Sequence, residues 1–318
     1  MRGCIININF KRPIIVIAGP TASGKSDFAL HLCKKINGVI INFDSMQVYK
    51  ELRILSARPN KLSMDIVDHK LYGFISGKNR CSALMWSEKA LIEINLALRK
   101  NLVPILVGGS GLYIKSLMDG ISDIPVTSES YRVEAERVLN KDGVNNFYAR
   151  LQNIDEKLVN NISPMDKQRL IRSYSVWLET GKTLFELRLA DKRSNKLPNK
   201  FFKIYLSSDR EILRQNIKDR FYKMIDQGAL KEVLNLEGFD EDLPVMKAHG
   251  ARELLAVNRS EISLEKAAEI TINHTNQYAK RQETWFKHQY NSNYHILNFR
   301  DNIDKYCSNV LSLYNKLY

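Results

Sequence analysis

The stretch "PIIVIAGPTASGKSDFALHLCKK", Pro13 to Lys35, constrains this chain more than any other. Its first seven residues are apolar and mostly β-branched, and they end in Gly19, as in a strand buried on both faces of a parallel sheet. Phe28, Leu32 and Ile36 then recur at helical spacing. Between strand and helix stands the pattern Gly19-x-x-x-x-Gly24-Lys25-Ser26. The glycines let consecutive backbone N–H groups turn onto an anion at the helix N-terminus. Lys25 adds a point charge, and the Ser26 hydroxyl is placed to ligate Mg²⁺. The pattern is a nucleotide-binding one that ATP would fit, yet the loop itself reads a diphosphate or polyphosphate and not adenosine.

Further apolar runs follow: "GVIINFD" (38–44), "VPILVGG" (103–109) and "KFFKIYLSSD" (200–209). Between the first two, Ser82 can cap a helix over "ALMWSEKALIEINLALRK". Alternating strands and helices predict an α/β chain with a doubly wound parallel sheet and ligands outside the carboxyl ends of its strands. From about Asp119 the pattern changes to charged amphipathic helices, so residues 119–199 read as an all-helical insertion into a core made of 1–118 and 200–318. Its best helix is expected from Ser163, with Pro164 at the first helical position and Asp166 at capping-box spacing, to Gly181. Two long helical patterns rich in Arg, Lys and aromatics, "REILRQNIKDRFYKMIDQGALKEVLNL" and "SLEKAAEITINHTNQYAKRQETWF", close the chain.

The net charge of +13 suits an anionic partner such as nucleic acid. Residues 1–118 hold 17 basic and 7 acidic side chains, so most of the excess lies in the part that carries the loop. Cys4, Cys33, Cys81 and Cys307 are scattered singly, which predicts reduced thiols and neither disulfides nor zinc. Without a signal peptide or an apolar run long enough to span a bilayer, the chain is expected to be cytoplasmic, with no membrane partner.

Asp44 ends its strand beside the loop, where an acid could hold magnesium through its bound water, act as a general base or cap a helix. "VPILV" runs into "GGSGLYIKSLMDG" without the Asp that a phosphate-hydrolysing enzyme uses to hold Mg²⁺ and water, which counts against an ordinary ATPase or GTPase.

Five motifs in order, "GPTASGKS", "NFDSMQVY", "VGGSGLY", "DKQRLIRSYSVWLETGK" and "YAKRQETWF", resemble the tRNA dimethylallyltransferase (tRNA isopentenyltransferase) family of bacterial type over about Pro13 to Gln289. The resemblance implies a P-loop kinase-like core and an insert that grips a tRNA anticodon stem-loop. It implies transfer of the dimethylallyl group of dimethylallyl diphosphate to the exocyclic N6 amine of the adenosine 3′ to the anticodon, in a Mg²⁺-dependent reaction. Carried over, the diphosphate loop is Gly19, Thr21, Ala22, Ser23, Gly24, Lys25 and Ser26, and the base is Asp44. Such an amine is a poor nucleophile, so an acceptor for its proton is required as the C–N bond forms. Charge on the departing diphosphate calls for donors and cations, and the family's candidates are Lys25, Ser110 and Arg132.

The resemblance also suggests a diphosphate contact for Arg220, which by spacing alone could be a solvated helix face. Target-base reading falls on Asp44, Ser45, Met46 and Gln47, and tRNA contact on Gln168, Arg169, Leu170, Ile171 and Arg172 and on Lys280 and Arg281. Helical spacing, in contrast, puts Leu170, Tyr174, Trp177 and Leu178 on a core face, and Trp285 with Phe286 also reads as core. The chain departs from the family pattern at "LSARP" (55–59), at "DHK" (68–70) and at Asn276, which weakens individual tRNA contacts. The alternative is a P-loop kinase phosphorylating a small metabolite or nucleoside, with Asp44 as base for a hydroxyl; it leaves the basic insert and "YAKRQETWF" without use. A monomer is expected.

Overall fold

The computed structural model of the chain describes residues 13–120, 122, 124, 127–190 and 200–317. Cys4 and the N-terminal segment read above for a signal peptide lie outside the described residues. The chain forms two compact units, 1–118 with 197–318, and 119–196.

The larger unit is built on six parallel strands: β1 (Ile14–Ala18), β2 (Gly38–Asn42), β3 (His69–Lys70), β4 (Val103–Gly108), β5 (Phe201–Ser207) and β6 (Tyr294–Leu297). Their order across the sheet is β3-β2-β4-β1-β5-β6. β1 is central, with Ile15 opposite both Ile105 and Phe202, and each of its residues is fully buried. That burial is why β1 reads as an uninterrupted apolar run instead of an alternating one. The chain leaves β1 toward β2 and leaves β4 in the other direction toward β5, so the connections diverge around β1 and β4, and a crevice opens outside their carboxyl ends.

One face of the sheet is covered by the helices Lys25–Ile36 and Ile303–Leu317, whose Phe28, Leu32, Cys33, Cys307, Val310 and Tyr314 pack on Ile15, Ile17, Ile105 and Ile204. Tyr314 donates its hydroxyl to the Pro13 carbonyl at 2.8 Å, tying the last helix to the start of β1. Helix Ala83–Arg99 is capped by Ser82, which accepts from Met85 N–H at 3.1 Å, as its sequence predicts. It buries Trp86, whose indole N–H donates to Asn42 O at 2.8 Å while the ring stacks on Tyr113. β3 and β6 are not anticipated by the sequence pattern. With two and four residues, and with only Ile296 buried in β6, they give too short an apolar run to read.

In the smaller unit the secondary structure of the described residues is helical, chiefly Glu129–Ile154, which is broken at Gly143 (φ 75°), and Lys167–Thr180. Ala135, Phe147, Leu151, Leu170 and Tyr174 are its buried core, with Trp177 and Leu178 packed against them. The helix expected from Ser163 starts instead at Lys167. Asp166 is its N-cap, accepting from Arg169 N–H at 3.2 Å, and Ser163 accepts Asp166 N–H into a preceding turn at 2.9 Å. The carboxylate at Asp166 fills the capping role that the Ser-Pro pair suggested for Ser163. The helix ends at left-handed Gly181 (φ 67°), as expected.

Gly24 joins the phosphate loop to its helix at φ 85°, and a Cβ there would lie 2.7 Å from the Phe299 ring. Gly24→Ala is expected to destabilise the protein by about 1–3 kcal/mol, from left-handed strain and the displaced ring together. Urea unfolding checks this, and an unchanged midpoint would show that the loop relaxes freely.

Candidate active site

Parallel register brings the residues after β1, β2 and β4 to one edge of the sheet. The first is the loop Gly19–Gly24. Lys25 Nζ donates to Pro20 O at 2.6 Å, so the ammonium lies back along the loop that it serves. Burial pulls this ammonium down to about 8; the Asp44 carboxylate opposes the shift and Arg220 adds to it. The helix Arg210–Asp226 brings Arg220, which donates from Nη2 to Thr21 Oγ1 at 2.6 Å. Burial lowers its guanidinium also, again against Asp44. A solvated helix face is therefore not the setting of Arg220. The Ser23 hydroxyl is buried and has no hydrogen-bond partner among the described residues, a donor that the loop leaves free for an anion.

The second element is the turn after β2. Asn42 Oδ1 accepts Asp44 N–H at 2.8 Å, and its amide donates to Asp44 O and Leu71 O. Asp44 Oδ1 accepts Met46 N–H at 2.9 Å, which closes an Asx-type turn; no helix follows, so the N-cap alternative falls. The carboxylate is thereby held at one oxygen, in electrostatic reach of Lys25, Arg220, Tyr72, Tyr113 and Tyr278. From the β4 end, Ser110 accepts Ser45 N–H at 2.9 Å and donates to Ser45 Oγ at 3.1 Å, which fastens it to the Asp44 turn. Gln47 spends its amide N–H groups on Ser56 O and Ala57 O, at 2.9 and 3.1 Å, and so supports the next turn of its own chain.

A cavity of about 390 Å³ lies beside Ser45 and Ser110, walled by Tyr49, Tyr113, Tyr278 and Trp285 with Arg281 among its lining. Trp285, expected in the core, is a cavity wall, whereas Phe286 is buried as expected. A second cavity of about 660 Å³ beyond Ser26 and Arg220 is edged by Arg53, Arg58 and Lys223.

In the smaller unit, Arg132 pairs with Glu129 at 2.9 Å and Glu136 at 3.7 Å along its own helix. Gln168 and Arg169 are exposed, and Arg172 donates to Thr127 Oγ1 at 3.0 Å. Leu170 is fully buried, so its side chain belongs to the core and not to an RNA-contacting surface; Ile171 packs against the same core. Lys280 and Arg281 are exposed on helix Leu264–Gln289, with Arg281 over the Tyr278 ring at 5.9 Å.

Two contributors escape sequence reasoning. Glu232 accepts the N–H groups of Arg53, Ile54 and Leu55 at 2.7–2.9 Å and so anchors a wall of the larger cavity. Gln282 accepts Thr21 N–H at 2.8 Å and donates to Gly109 O at 2.9 Å. In the sequence Gln282 sits inside the motif "YAKRQETWF", of which the sequence places only Lys280, Arg281, Trp285 and Phe286.

Residues 47–289 match the family model described as IPP transferase, and residues 12–71 match that described as isopentenyl transferase. The chain belongs to the IPP transferase family. Among curated IPP transferase relatives, a protein of Nitrobacter hamburgensis named tRNA dimethylallyltransferase is 43% identical over 277 residues, 86% of this chain and 87% of its own. One of the same name from Pelagibacter ubique is 41% identical over 86% and 87%. A solved tRNA delta(2)-isopentenylpyrophosphate transferase from Staphylococcus epidermidis superposes with a TM-score of 0.68 at 30% identity, covering 96% of this chain and all of that one. A eukaryotic dimethylallyltransferase described as acting on tRNA gives 0.76 at 25% identity, covering 95% and 79%.

Among the described residues of this IPP transferase, no group of three or more His, Cys, Asp or Glu is placed to hold a metal. Ser26, exposed in the first helical turn, offers one hydroxyl, a single oxygen donor of the kind that Mg²⁺ takes. The Lys25 charge is present below about pH 8 and lost above it. Calorimetric affinity for inorganic diphosphate is therefore expected to fall above about pH 8 in the wild type, relative to Lys25→Met, by up to tenfold per pH unit. Parallel pH profiles for the two proteins would contradict this.

Proposed function

We propose that this chain transfers the dimethylallyl group of dimethylallyl diphosphate to the N6 amine of the adenosine on the 3′ side of the tRNA anticodon, releasing diphosphate. The observation that carries this reading is the convergence of a diphosphate loop, the Asp44 carboxylate and the Ser110 hydroxyl on one sheet edge, with no acid at the end of β4 to activate water. The names of the relatives support it.

The loop N–H groups, Lys25 and Arg220 hold the diphosphate, and the free Ser23 hydroxyl adds a donor. The allylic C–O bond breaks and its electron pair leaves on the diphosphate oxygen, where these groups are worth most because the charge develops there. The amine nitrogen forms the new C–N bond, and its proton passes to Asp44, which the Met46 N–H holds in orientation. Ser110 keeps the Asp44 turn beside the loop. The Ser26 hydroxyl would hold Mg²⁺, which would supply positive charge at the leaving group.

A base stacked in an RNA loop is out of reach, so the target adenine must be turned out. The aromatic-walled cavity beside Ser45 suits a flipped base; Met46 lines it, and Gln47 braces the turn that follows. Phosphate contacts are assigned to Lys280 and Arg281, and anticodon stem-loop contacts to Gln168, Arg169 and Arg172 of the insert. Scattered thiols and a tRNA substrate suit a cytoplasmic enzyme, in which a single chain supplies loop, base and RNA contacts and so works as a monomer.

Incubation with dimethylallyl diphosphate carrying label in its prenyl group, Mg²⁺ and unmodified tRNA is expected to label the RNA. Asp44→Asn keeps the bond to Met46 N–H while losing basicity, and is expected to lower kcat by about 10²–10⁴-fold with tRNA affinity within a few-fold. Full turnover in that variant would remove Asp44 as the base, and unlabelled RNA with the wild type would sink the reaction itself.

A further inference from the structure

Gln282 is 4% exposed, a polar side chain enclosed where the carboxyl ends of β1 and β4 approach each other. Its amide is used at both ends. Oε1 accepts Thr21 N–H at 2.8 Å, at the start of the diphosphate loop, and Nε2 donates to Gly109 O at 2.9 Å, one residue before Ser110. The approach is close enough to require glycine on the far side: a Cβ at Gly109 would stand 2.2 Å from Nε2 and 3.2 Å from Gly19 O. Thr21 is gripped a second time at its hydroxyl by Arg220, at 2.6 Å. The helix that carries Gln282 is itself fixed one turn later by buried Phe286, which packs edge-on against Tyr290, and Tyr290 donates to Val16 O at 3.1 Å in β1.

We propose that Gln282 is a positioning residue that sets the spacing between the diphosphate loop and the Ser110–Asp44 side of the site. This rests on the function proposed above, because that spacing is the distance between leaving group and acceptor. Only a side chain that donates and accepts at once can satisfy both backbone groups. A carboxylate is no equivalent, since Gln282→Glu would set a second acceptor oxygen against Gly109 O, and Gln282→Met would leave both groups unpaired, the Gly109 carbonyl in a buried setting. A misplacement of reacting groups by ~1 Å costs on the order of 10²-fold in rate.

Gln282→Met, similar in volume and unable to make either bond, is the test. Three quantities are read: kcat and KM for prenyl transfer, the affinity for inorganic diphosphate with Mg²⁺, and the affinity for unmodified tRNA. The expected result is a kcat lower by about 10²-fold and a diphosphate affinity weaker by about tenfold, with tRNA affinity within about threefold. Wild-type kcat and diphosphate affinity in the folded variant would overturn the proposal. So would equal losses of diphosphate and tRNA affinity, which would mark a general loosening of the fold. Should Gln282→Met not fold, Gln282→Glu, which retains the acceptor for Thr21 N–H, is expected to lose kcat in the same way, and wild-type kcat there would overturn it as well. A wild-type protein that prenylates no tRNA, beside a Gln282→Met variant that still loses diphosphate affinity, would overturn the function proposed above and leave the placement of the loop by Gln282 standing.

Discussion

The parallel register of β1 with β4 and of β4 with β2 is the constraint on which the site depends. Because the three strands run the same way and are buried together, the loop after β1, the Asp44 turn after β2 and Gly109–Ser110 after β4 emerge at one edge. Hydrogen bonds across that edge then lock the three segments to one another: Ser110 to Ser45, and Gln282 to both Thr21 and Gly109. The hydrophobic effect, through a core strand with no exposed residue, supplies the rigidity; the polar bonds supply the distances.

Electrostatics explains why a nucleotide-type loop can serve a different reaction. Lys25 and Arg220 are both partly stripped of water, which costs each some of its preference for charge, and Asp44 is the carboxylate that offsets this. On the proposed function, a diphosphate beside them would restore the balance, and its developing charge in the transition state would do so further. Ser23, with its buried and unpartnered hydroxyl, has the same character: a donor kept available at some cost to the folded chain.

Much of this was legible in the residues. The apolar runs of β1, β2, β4 and β5 are long enough to be recognised, the glycines and Lys25 announce an anion, and Ser82 and Gly181 punctuate their helices as chemistry requires. What was not legible depends on contacts remote in sequence. β3 is two residues long and exists because Ile40 and Ile41 of β2 pair with it. Asp166 takes the cap from Ser163 because the preceding turn uses Ser163 as a backbone acceptor. Leu170, assigned by resemblance to an RNA-contacting run, faces the core that its helical spacing also indicated. Gln282 and Glu232 cannot be read as site residues, because the backbone groups that they satisfy lie 173 or more residues away in the chain.

The central claim is that the loop holds a leaving diphosphate and not a phosphoryl donor. Phosphorus-31 NMR of the wild-type protein with dimethylallyl diphosphate, Mg²⁺ and unmodified tRNA tests it most directly, with prenylated adenosine counted in the same sample. The account predicts inorganic diphosphate appearing in one-to-one proportion to prenylated adenosine, and no change in ATP supplied in its place. Transfer of the terminal phosphoryl group of ATP to any acceptor, without diphosphate release from the prenyl donor, would contradict it.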